Sequence, residues 1–220
     1  MFIVQRSHHN PILNPNKEHP WEAFSTFNWC PIEDKKITHV VYRAMSLPEI
    51  VKGTGFSYSS IGHAMSKDGI HFEKRKQLIV PEFEWEKYGC EDPRITKFEG
   101  KYYIFYTALG TFPLTPAGIR VAVGVTKNLD KIEEKYLVTP FNAKAMVIFP
   151  ERINGKIVAM LTVHTDSPPA KIAIAEFEKE EDIWSLGYWD NWYKDLDSHW
   201  IDPRRAVTDH VEIGAPPIKT

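Results

Sequence analysis

Residues 98–108 read FEGKYYIFYTA, and this stretch decides the predicted fold. A polar turn containing Gly100 is followed by a run rich in aromatic residues, which is typical of a β-strand. Two similar runs follow polar turns elsewhere, ITHVVYRA at residues 37–44 and IVAMLTV at residues 157–163. The sequence has no long amphipathic helical pattern. A short segment within residues 178–186 allows a helix. We therefore predict an all-β protein.

A second recurring element follows each of these runs. Residues 61–69 read IGHAMSKDG, residues 121–129 read VAVGVTKNL, and residues 171–177 read KIAIAEF. Each unit is thus predicted to contain several strands separated by polar turns. Units of this kind are typical of the blades of a β-propeller.

The repeats divide the chain into about three blades, followed by the first strand of a fourth. The units cover residues 20–80, 90–140 and 143–186, and the added strand is residues 211–214. A propeller needs at least about four blades to close its ring. We therefore expect the 220 residues to form a single, partial propeller domain of a longer protein. An open edge near residues 205–220 favours pairing with a second copy of the chain.

The composition is that of a soluble globular protein, with 43% hydrophobic and 25% charged residues. The formal net charge of −2 gives no electrostatic reason to bind nucleic acid or an anionic membrane. Cys30 and Cys90 form neither a disulfide framework nor a metal-binding spacing, so no metal or other cofactor is predicted. The N-terminus lacks the pattern of a signal peptide, and no apolar run is long enough to span a membrane. These features predict a cytoplasmic protein.

The aromatic content of 13% leaves two interpretations open. Several aromatic residues stand beside polar ones, as in FNW at residues 27–29 and WDNW at residues 189–192. Aromatic faces stack on sugars while neighbouring polar groups bind the hydroxyls, so the pattern favours a glycan-binding site. Ordinary core and edge aromatics explain the same composition.

Residues 89–95, GCEDPRI, carry the most specific chemical pattern. Pro93 disfavours the helical conformation in the residue before it, so Asp92 is expected to be extended. Consecutive strand residues face opposite sides, so only one of Glu91 and Asp92 is expected to face a cavity. Paired acids beside an arginine suit glycosyl transfer, in which carboxyl groups need tuned pKa values. A surface turn with a salt bridge explains the same residues.

Together with other motifs, this stretch resembles glycoside hydrolase family 130. The motifs occur in the family's order along essentially the whole chain. They are EDPR at residues 91–94, NPIL at 10–13, FNW at 27–29, YRA at 42–44, Lys144, FPERINGK at 149–156 and EIGAPPIKT at 212–220.

The resemblance implies a five-bladed β-propeller with the active site in its central cavity. It also implies inverting phosphorolysis of a β-mannoside, with inorganic phosphate as co-substrate and α-mannose 1-phosphate as product. Asp92 takes the family's general-acid position, and Asn28 and Arg43 match positions that line the sugar and phosphate subsites. A phosphate dianion needs several cations and donors. The further residues assigned to substrate or phosphate binding are Glu91, Arg94, Arg120, Lys144 and Lys219.

Two parts of the chain depart from the family pattern. The family's Tyr-His-Gly motif and last blades, which follow the segment ending at Thr220, are missing from this sequence. Residues 161–170 lack the expected arginine and contain Thr162, His164 and Asp166. His164 either replaces a sugar or phosphate contact or is a structural histidine.

Three functions remain open on the sequence alone. Phosphorolysis is favoured because Arg43 and Lys144 are cations that suit a phosphate dianion. A hydrolase of the same family would instead use acidic residues as the base for water. A non-catalytic glycan-binding protein is the third, favoured by the missing part of the family pattern. The predicted partner is a mannose-containing oligosaccharide.

Overall fold

The computed structural model describes residue 5, residues 7–204, residue 206 and residues 208–219. Predictions for the two termini that involve residues 1–4, 6, 205, 207 and 220 lie outside the described residues. In chain order the strands are β1 (Ser25–Asp34), β2 (Ile37–Met45), β3 (Glu49–Val51), β4 (Thr54–Phe56), β5 (Ser59–Ser66), β6 (Glu73–Ile79), β7 (Gly89–Phe98), β8 (Lys101–Leu109), β9 (Ile119–Thr126), β10 (Glu134–Leu137), β11 (Ala143–Ile148), β12 (Ile157–Val163), β13 (Lys171–Phe177) and β14 (Trp200–Ile201). The helices are α1 (Leu186–Lys194) and α2 (Leu196–His199), and 3-10 turns occupy Pro20–Glu22, Glu84–Glu86, Pro116–Gly118 and Glu180–Trp184.

The strands form three antiparallel units of four. The first unit is β1, β2, β5 and β6, the second is β7 to β10, and the third is β11 to β14. A single parallel bridge between Ser59 and Gly89 joins the first two units into one sheet of eight strands, and β3 and β4 form a separate hairpin. The predicted all-β class is confirmed, and the three units begin near the boundaries predicted from the repeats.

The helices lie slightly further along the chain than the segment 178–186 that allows one. Part of that segment forms a 3-10 turn, and α1 begins directly after it at Leu186. Ser185 Oγ accepts a hydrogen bond from Tyr188 N at 3.3 Å, which satisfies one of the free N–H groups of the first turn. Both helices lie between β13 and β14, so the third unit continues to Ile201. None of the helices in the described part of the chain is long and apolar enough to cross a membrane.

The predicted first strand of a fourth blade, residues 211–214, is not a strand in the structure. Side chains of the second and third units hold this segment instead. Ile213 N donates to Thr162 Oγ1 at 3.0 Å. Arg94 donates to the carbonyl oxygens of Ile213 and Gly214. A β-ladder needs a backbone partner on the neighbouring chain segment, and side-chain contacts do not create one.

The main apolar core lies between the second and third units. Its largest buried side chains include Phe98, Tyr103, Phe105, Met146 and Trp189. Trp189 of α1 is fully buried, and its indole Nε1 donates to the Ile183 carbonyl at 2.8 Å. Strand β8 is buried on both faces, which explains why its sequence is continuously apolar rather than alternating.

The first two units each hold a buried carboxylate at the same place, in the 3-10 turn that precedes the first strand. A tyrosine hydroxyl of the second strand donates to this carboxylate, at 2.8 Å in the first unit and 2.6 Å in the second. A cation from the outer strand completes each set. The members are Glu22, Tyr42 and Arg75 in the first unit, and Glu86, Tyr106 and Lys135 in the second.

The first strand of each unit contains a β-bulge at an equivalent position. The register shifts lie between Phe27 and Cys30, between Glu91 and Arg94, and between Lys144 and Val147. Within each bulge one residue has a positive φ, which is 47° at Asn28, 51° at Asp92 and 50° at Ala145. Asparagine and aspartate tolerate this left-handed conformation better than most other residues do. The repeated bulge thus places Asn28, Asp92 and Ala145 at equivalent positions in three units.

Candidate active site

Asp92 lies in the bulge of β7, and its φ of 51° is left-handed rather than extended. The prediction of an extended Asp92 is therefore wrong. Pro93 disfavours only the right-handed helical region for its predecessor, and the bulge determines which of the other conformations is adopted.

Arg43 of β2 brings the two adjacent acids together. Its Nη1 lies 3.4 Å from Asp92 Oδ1, and its Nη2 forms an ion pair with Glu91. Arg43 Nε donates to Ser59 Oγ at 3.1 Å, and Ser59 donates to Glu91 Oε1 at 3.0 Å. Because both carboxylates contact one guanidinium, the expectation that they face opposite sides is wrong. The extra residue of the bulge removes the regular alternation.

Asn28, in the bulge of β1, also binds Asp92. Its Nδ2 donates to Asp92 Oδ1 at 2.7 Å, so the bulge residues of the first and second units meet. Among the described residues, no hydrogen bond is recorded for Asp92 Oδ2. One carboxylate oxygen is thus held by Asn28 and Arg43, and the other accepts no hydrogen bond from the described residues.

Glu91 and Asp92 differ in their surroundings. Burial raises the pKa of Glu91, the Arg43 charge opposes this shift, and the Asp92 charge adds to it. The Glu91 side chain is 15% exposed and that of Asp92 is 24% exposed. Asp92 is therefore the more accessible acid, while Glu91 is held between Arg43 and Ser59.

A cavity of about 380 Å³ opens beside Asp92, and Asn28, Trp29 and Glu212 contribute to its wall. A second hollow of about 260 Å³ lies against Asn28 and Trp29 and includes residues 10–13. Trp29 is 45% exposed, so an indole face is available next to the polar groups. Cavities of this size and mixed lining suit a small ligand with hydroxyl groups.

Arg94 lines the same cavity, but its donors are engaged by backbone. It donates to Gly214 O at 2.7 Å, to Ile213 O at 3.2 Å and to Asp92 O at 3.0 Å. These contacts attach the C-terminal segment to the bulge of β7. In the structure Arg94, which was predicted to bind substrate or phosphate, thus bonds to backbone carbonyls.

Lys144 directly precedes the bulge of β11, and its charge acts on Glu91 across the units. Its Nζ lies 2.8 Å from Asp166 Oδ1, and Asn142 Nδ2 donates to Asp166 Oδ2 at 3.0 Å. Burial acts to raise the pKa of Asp166, but the hydrogen bonds from Asn142 and Lys144 outweigh it and lower that pKa. Asp166 was not predicted as a site residue, and only its place in an atypical segment singled it out.

Three predicted binding residues lie outside this set of contacts, namely Arg120, His164 and Lys219. Their partners are a carbonyl of the adjacent 3-10 turn at 2.9 Å, the Tyr193 hydroxyl at 2.7 Å and the Glu151 carboxylate at 2.6 Å, respectively. Tyr193 comes from the end of α1, whose approach to His164 no local sequence pattern indicates. Within the described residues, no group of three or more His, Cys, Asp or Glu residues could hold a metal ion.

Solved structures show that this fold occurs in other proteins. The beta-1,2-mannobiose phosphorylase from Listeria innocua matches with a TM-score of 0.61 and 22% identity, over 79% of this chain and 62% of that one. A glycosyl hydrolase from Bacteroides ovatus matches with a TM-score of 0.61 and 22% identity, over 79% of this chain and 55% of that one. At this identity the matches show a shared fold.

The sequence comparisons identify the family. The family model described as beta-1,4-mannooligosaccharide phosphorylase matches residues 5–220, so the chain belongs to glycoside hydrolase family 130. It is 35% identical to the 1,2-beta-oligomannan phosphorylase of Thermoanaerobacter sp. (strain X514), over 100% of this chain and 69% of the relative. It is also 35% identical to the beta-1,2-mannobiose phosphorylase of the same organism, over 72% of this chain and 54% of the relative.

Proposed function

We propose that the protein takes part in the inverting phosphorolysis of β-mannosides to α-mannose 1-phosphate. The family description and the names of two relatives support this activity. The observation that carries the proposal is the placement of Asp92 at the cavity wall, with Oδ1 held by Asn28 and Arg43.

The proposed role of Asp92 is that of proton donor to the departing sugar oxygen. A general acid must be held in place and must still reach the substrate. Asn28 and Arg43 fix one oxygen of the carboxyl group, and the accessible second oxygen carries the proton. Glu91 supports this arrangement by neutralising part of the Arg43 charge.

The proposed phosphate site lies between Arg43 and Lys144. An arginine fork and a lysine are suited to a dianion that approaches from one side. In the structure both cations already pair with carboxylates, Arg43 with Glu91 and Lys144 with Asp166. Phosphate binding therefore requires these pairs to open or to share the cation. The raised pKa of Glu91, which follows from its burial, favours release of Arg43 by protonation of this acid.

We also propose that the three units are blades of a five-bladed propeller. Three consecutive four-stranded antiparallel units, each with the same bulge in its first strand, support this interpretation. The solved relatives share the fold over most of this chain.

A hydrolase is the second candidate, and Asp166 favours it. Its carboxylate pairs with Lys144, a cation of the proposed phosphate site, and a carboxylate at this place is the kind of group that serves as a base for water. A solved relative with a TM-score of 0.62 and 23% identity is described among glycoside hydrolases that target beta-1,2 mannosidic linkages.

Product analysis with and without inorganic phosphate separates the two candidates. The panel contains β-1,2- and β-1,4-linked mannobiose, because the relatives and the family description name different linkages. Phosphorolysis gives mannose 1-phosphate only when phosphate is present. Equal release of free mannose without phosphate, abolished by Asp166→Asn, would instead establish hydrolysis.

Lys144→Met sharpens this test. Loss of the lysine is expected to raise the KM for phosphate more than it changes the KM for the mannoside, since the charge serves the dianion. The matched control is Lys179→Met, an exposed lysine before the turn Glu180–Trp184. An unchanged phosphate KM in Lys144→Met contradicts the proposed phosphate site.

A further inference from the structure

A separate cavity of about 430 Å³ lies at the end of the first unit remote from the bulge of β1. Its wall includes Asp34, the last residue of β1, and His39 near the start of β2. The bulge with Asn28 is near the opposite end of β1. This cavity is therefore distinct from the candidate active site.

A pair of histidines forms one wall of the cavity. His39 Nδ1 and His63 Nε2 are 3.0 Å apart, and the rings stack with an interplanar angle of 17°. His63 is only 3% exposed, yet its Nδ1 has no hydrogen-bond partner among the described residues. Buried polar atoms are nearly always paired, so the unpaired ring nitrogen of a histidine that lines a cavity indicates a partner that is not part of the chain.

The cavity is positively charged although the whole chain has a net charge of −2. Its lining contains four lysines and two aspartates. Asp34 is neutralised by Lys97, and Asp130 pairs with Lys76. None of the ion pairs recorded for the described residues involves the other three lining lysines, which are Lys35, Lys74 and Lys127.

The backbone conformation at one of these lysines, Lys74, sets the direction of its side chain. The pairing of β5 with β6 shifts register between His63 and Met65, opposite Lys76 and Glu73. Lys74 lies within this bulge and has a φ of 53°. Bulges re-aim side chains, and a lysine seldom adopts this conformation.

We propose that this cavity binds a phosphate group, free or carried on a small ester, between the three unpaired lysines and His63. The lysines supply the positive charge that an anion needs. The hydrogen bond between the two rings needs one N–H donor. When His39 Nδ1 is the donor, His63 Nε2 is the acceptor, and neutral His63 then carries its own proton on Nδ1. His63 Nδ1 then donates to a phosphate oxygen. In the other tautomer Nδ1 accepts from a hydroxyl of the ester.

Burial lowers the pKa of His39, and it lowers the pKa of His63 to about 3. Both rings are therefore neutral at pH 7, as a paired donor and acceptor require. Lys76 contributes to both shifts, while Asp34 opposes the first and Asp130 the second.

The test is a titration of the full chain, labelled with ¹⁵N in its histidine rings, with glucose 1-phosphate and then with inorganic phosphate. We expect saturable shifts of the His39 and His63 ring nitrogens. Tighter binding of glucose 1-phosphate identifies an ester as the ligand class, and equal binding identifies the free ion. Both outcomes support the site.

The lysine variants supply the control. Lys74→Ala with Lys127→Ala is expected to weaken binding by up to about 100-fold, since two charge-assisted contacts are lost and each changes affinity by up to about tenfold. Lys179→Ala should leave affinity unchanged. The lysines are exposed, so the double variant is expected to fold.

Two results would overturn the proposal. The first is the absence of saturable His39 and His63 shifts. That pattern would restrict phosphate to the candidate active site, so it leaves the proposed phosphorolysis untouched. The second is an affinity that the double lysine variant leaves unchanged.

Discussion

All three units have a β-bulge at the same place in their first strand, but the side chains that stabilise the first two units differ in kind from those that stabilise the third. In the first two, a carboxylate in the preceding turn accepts from Tyr42 or from Tyr106 on the second strand. The corresponding residue of the third unit is Leu161. It lies opposite the bulge of β11, just as Tyr42 and Tyr106 lie opposite the bulges of β1 and β7. A leucine cannot donate a hydrogen bond, and no buried acid stands before β11.

The third unit has a buried aromatic cluster in place of the ion pairs. Trp189 of α1 packs edge-on against Phe177 at 5.6 Å and against Trp192 at 5.1 Å between ring centroids. Phe141, just before β11, stacks on Tyr193 at 4.3 Å. The helix thus anchors the third unit.

This difference separates the residues that serve the fold from those that serve the site. The bulge recurs in all three units, but only the first two carry polar side chains at its left-handed position, Asn28 and Asp92. The third carries Ala145 there and contributes Lys144 from the preceding position. The backbone bulge is therefore repeated in all three units, whereas the side chains proposed to act in catalysis differ from one unit to the next.

The largest expected effect on stability is that of Glu86→Gln. The Lys135 side chain is 7% exposed and pairs with a carboxylate that is 0% exposed. Removing one partner of a buried ion pair costs about 3–5 kcal/mol of unfolding free energy. Urea denaturation measures this loss. Glu84→Gln, at an exposed position of the same turn, should change stability by less than about 1 kcal/mol, and equal losses would contradict a buried role for Glu86.

Glu22→Gln is expected to cost less than Glu86→Gln. Its cation, Arg75, lies 3.5 Å away and is 18% exposed, so water can solvate the guanidinium when the negative charge is removed. A loss of about 2 kcal/mol is expected, mainly because the hydrogen bond from Tyr42 no longer has a charged acceptor. If urea denaturation shows a larger loss of stability for Glu22→Gln than for Glu86→Gln, exposure of the cation does not determine the cost of removing the buried carboxylate.

Glu91 and Asp166 are expected to give stability opposite pH dependences. Burial raises the pKa of Glu91, so the folded protein takes up its proton first, and stability rises as the pH falls from that pKa to the ordinary value of about 4.3. Although burial acts to raise it, hydrogen bonding lowers the pKa of Asp166. Its contribution to stability is therefore lost as the pH falls from the ordinary value of about 3.9 through the folded pKa.

Denaturation of the wild type, Glu91→Gln and Asp166→Asn across this pH range checks the signs. The stability of the wild type relative to Glu91→Gln should increase on acidification. Relative to Asp166→Asn it should decrease. If both stability differences change with the same sign on acidification, the opposite pKa shifts of Glu91 and Asp166 are contradicted.

The smallest expected effect is that of Ala145→Gly. The left-handed conformation costs alanine roughly 1–2 kcal/mol, and glycine removes this cost while losing a buried methyl group. The net change should be close to zero. Ala159→Gly, at a fully buried position of β12, is the control and should destabilise by about 1–2 kcal/mol. Equal losses at both positions would contradict strain at the third bulge.

The sequence predicted the units well because each strand run is long, apolar and preceded by a turn. The conformation of Asp92 could not be predicted, since a bulge depends on pairing with β8 and leaves no local mark except a residue that tolerates positive φ. The same dependence explains why Glu91 and Asp92 were wrongly expected to face opposite sides. The strand predicted at residues 211–214 failed because strand formation needs a backbone partner, which an apolar pattern does not supply.

The site was predicted in part for a similar reason. Asn28, Arg43, Asp92 and Lys144 came from motifs that match a family, and the structure brings the first three into direct contact. Asp166 was missed because it lies in the turn after β12, whereas its partner Lys144 lies on β11, distant in sequence. Charge type alone does not distinguish a surface lysine such as Lys219 from one facing a cavity.

The central claim is that Asp92 is the proton donor, and the turnover of Asp92→Asn tests it most directly. Asparagine tolerates the left-handed φ, so the variant should fold while lacking a proton carrier. Loss of a general acid is worth about 10²–10⁴-fold, so turnover of β-mannobiose should fall by at least about 100-fold. Asp190→Asn, at an exposed position of α1, should keep full activity. Retention of more than about a tenth of the rate in Asp92→Asn, with Glu91→Gln inactive, would contradict the account and assign the acid to Glu91.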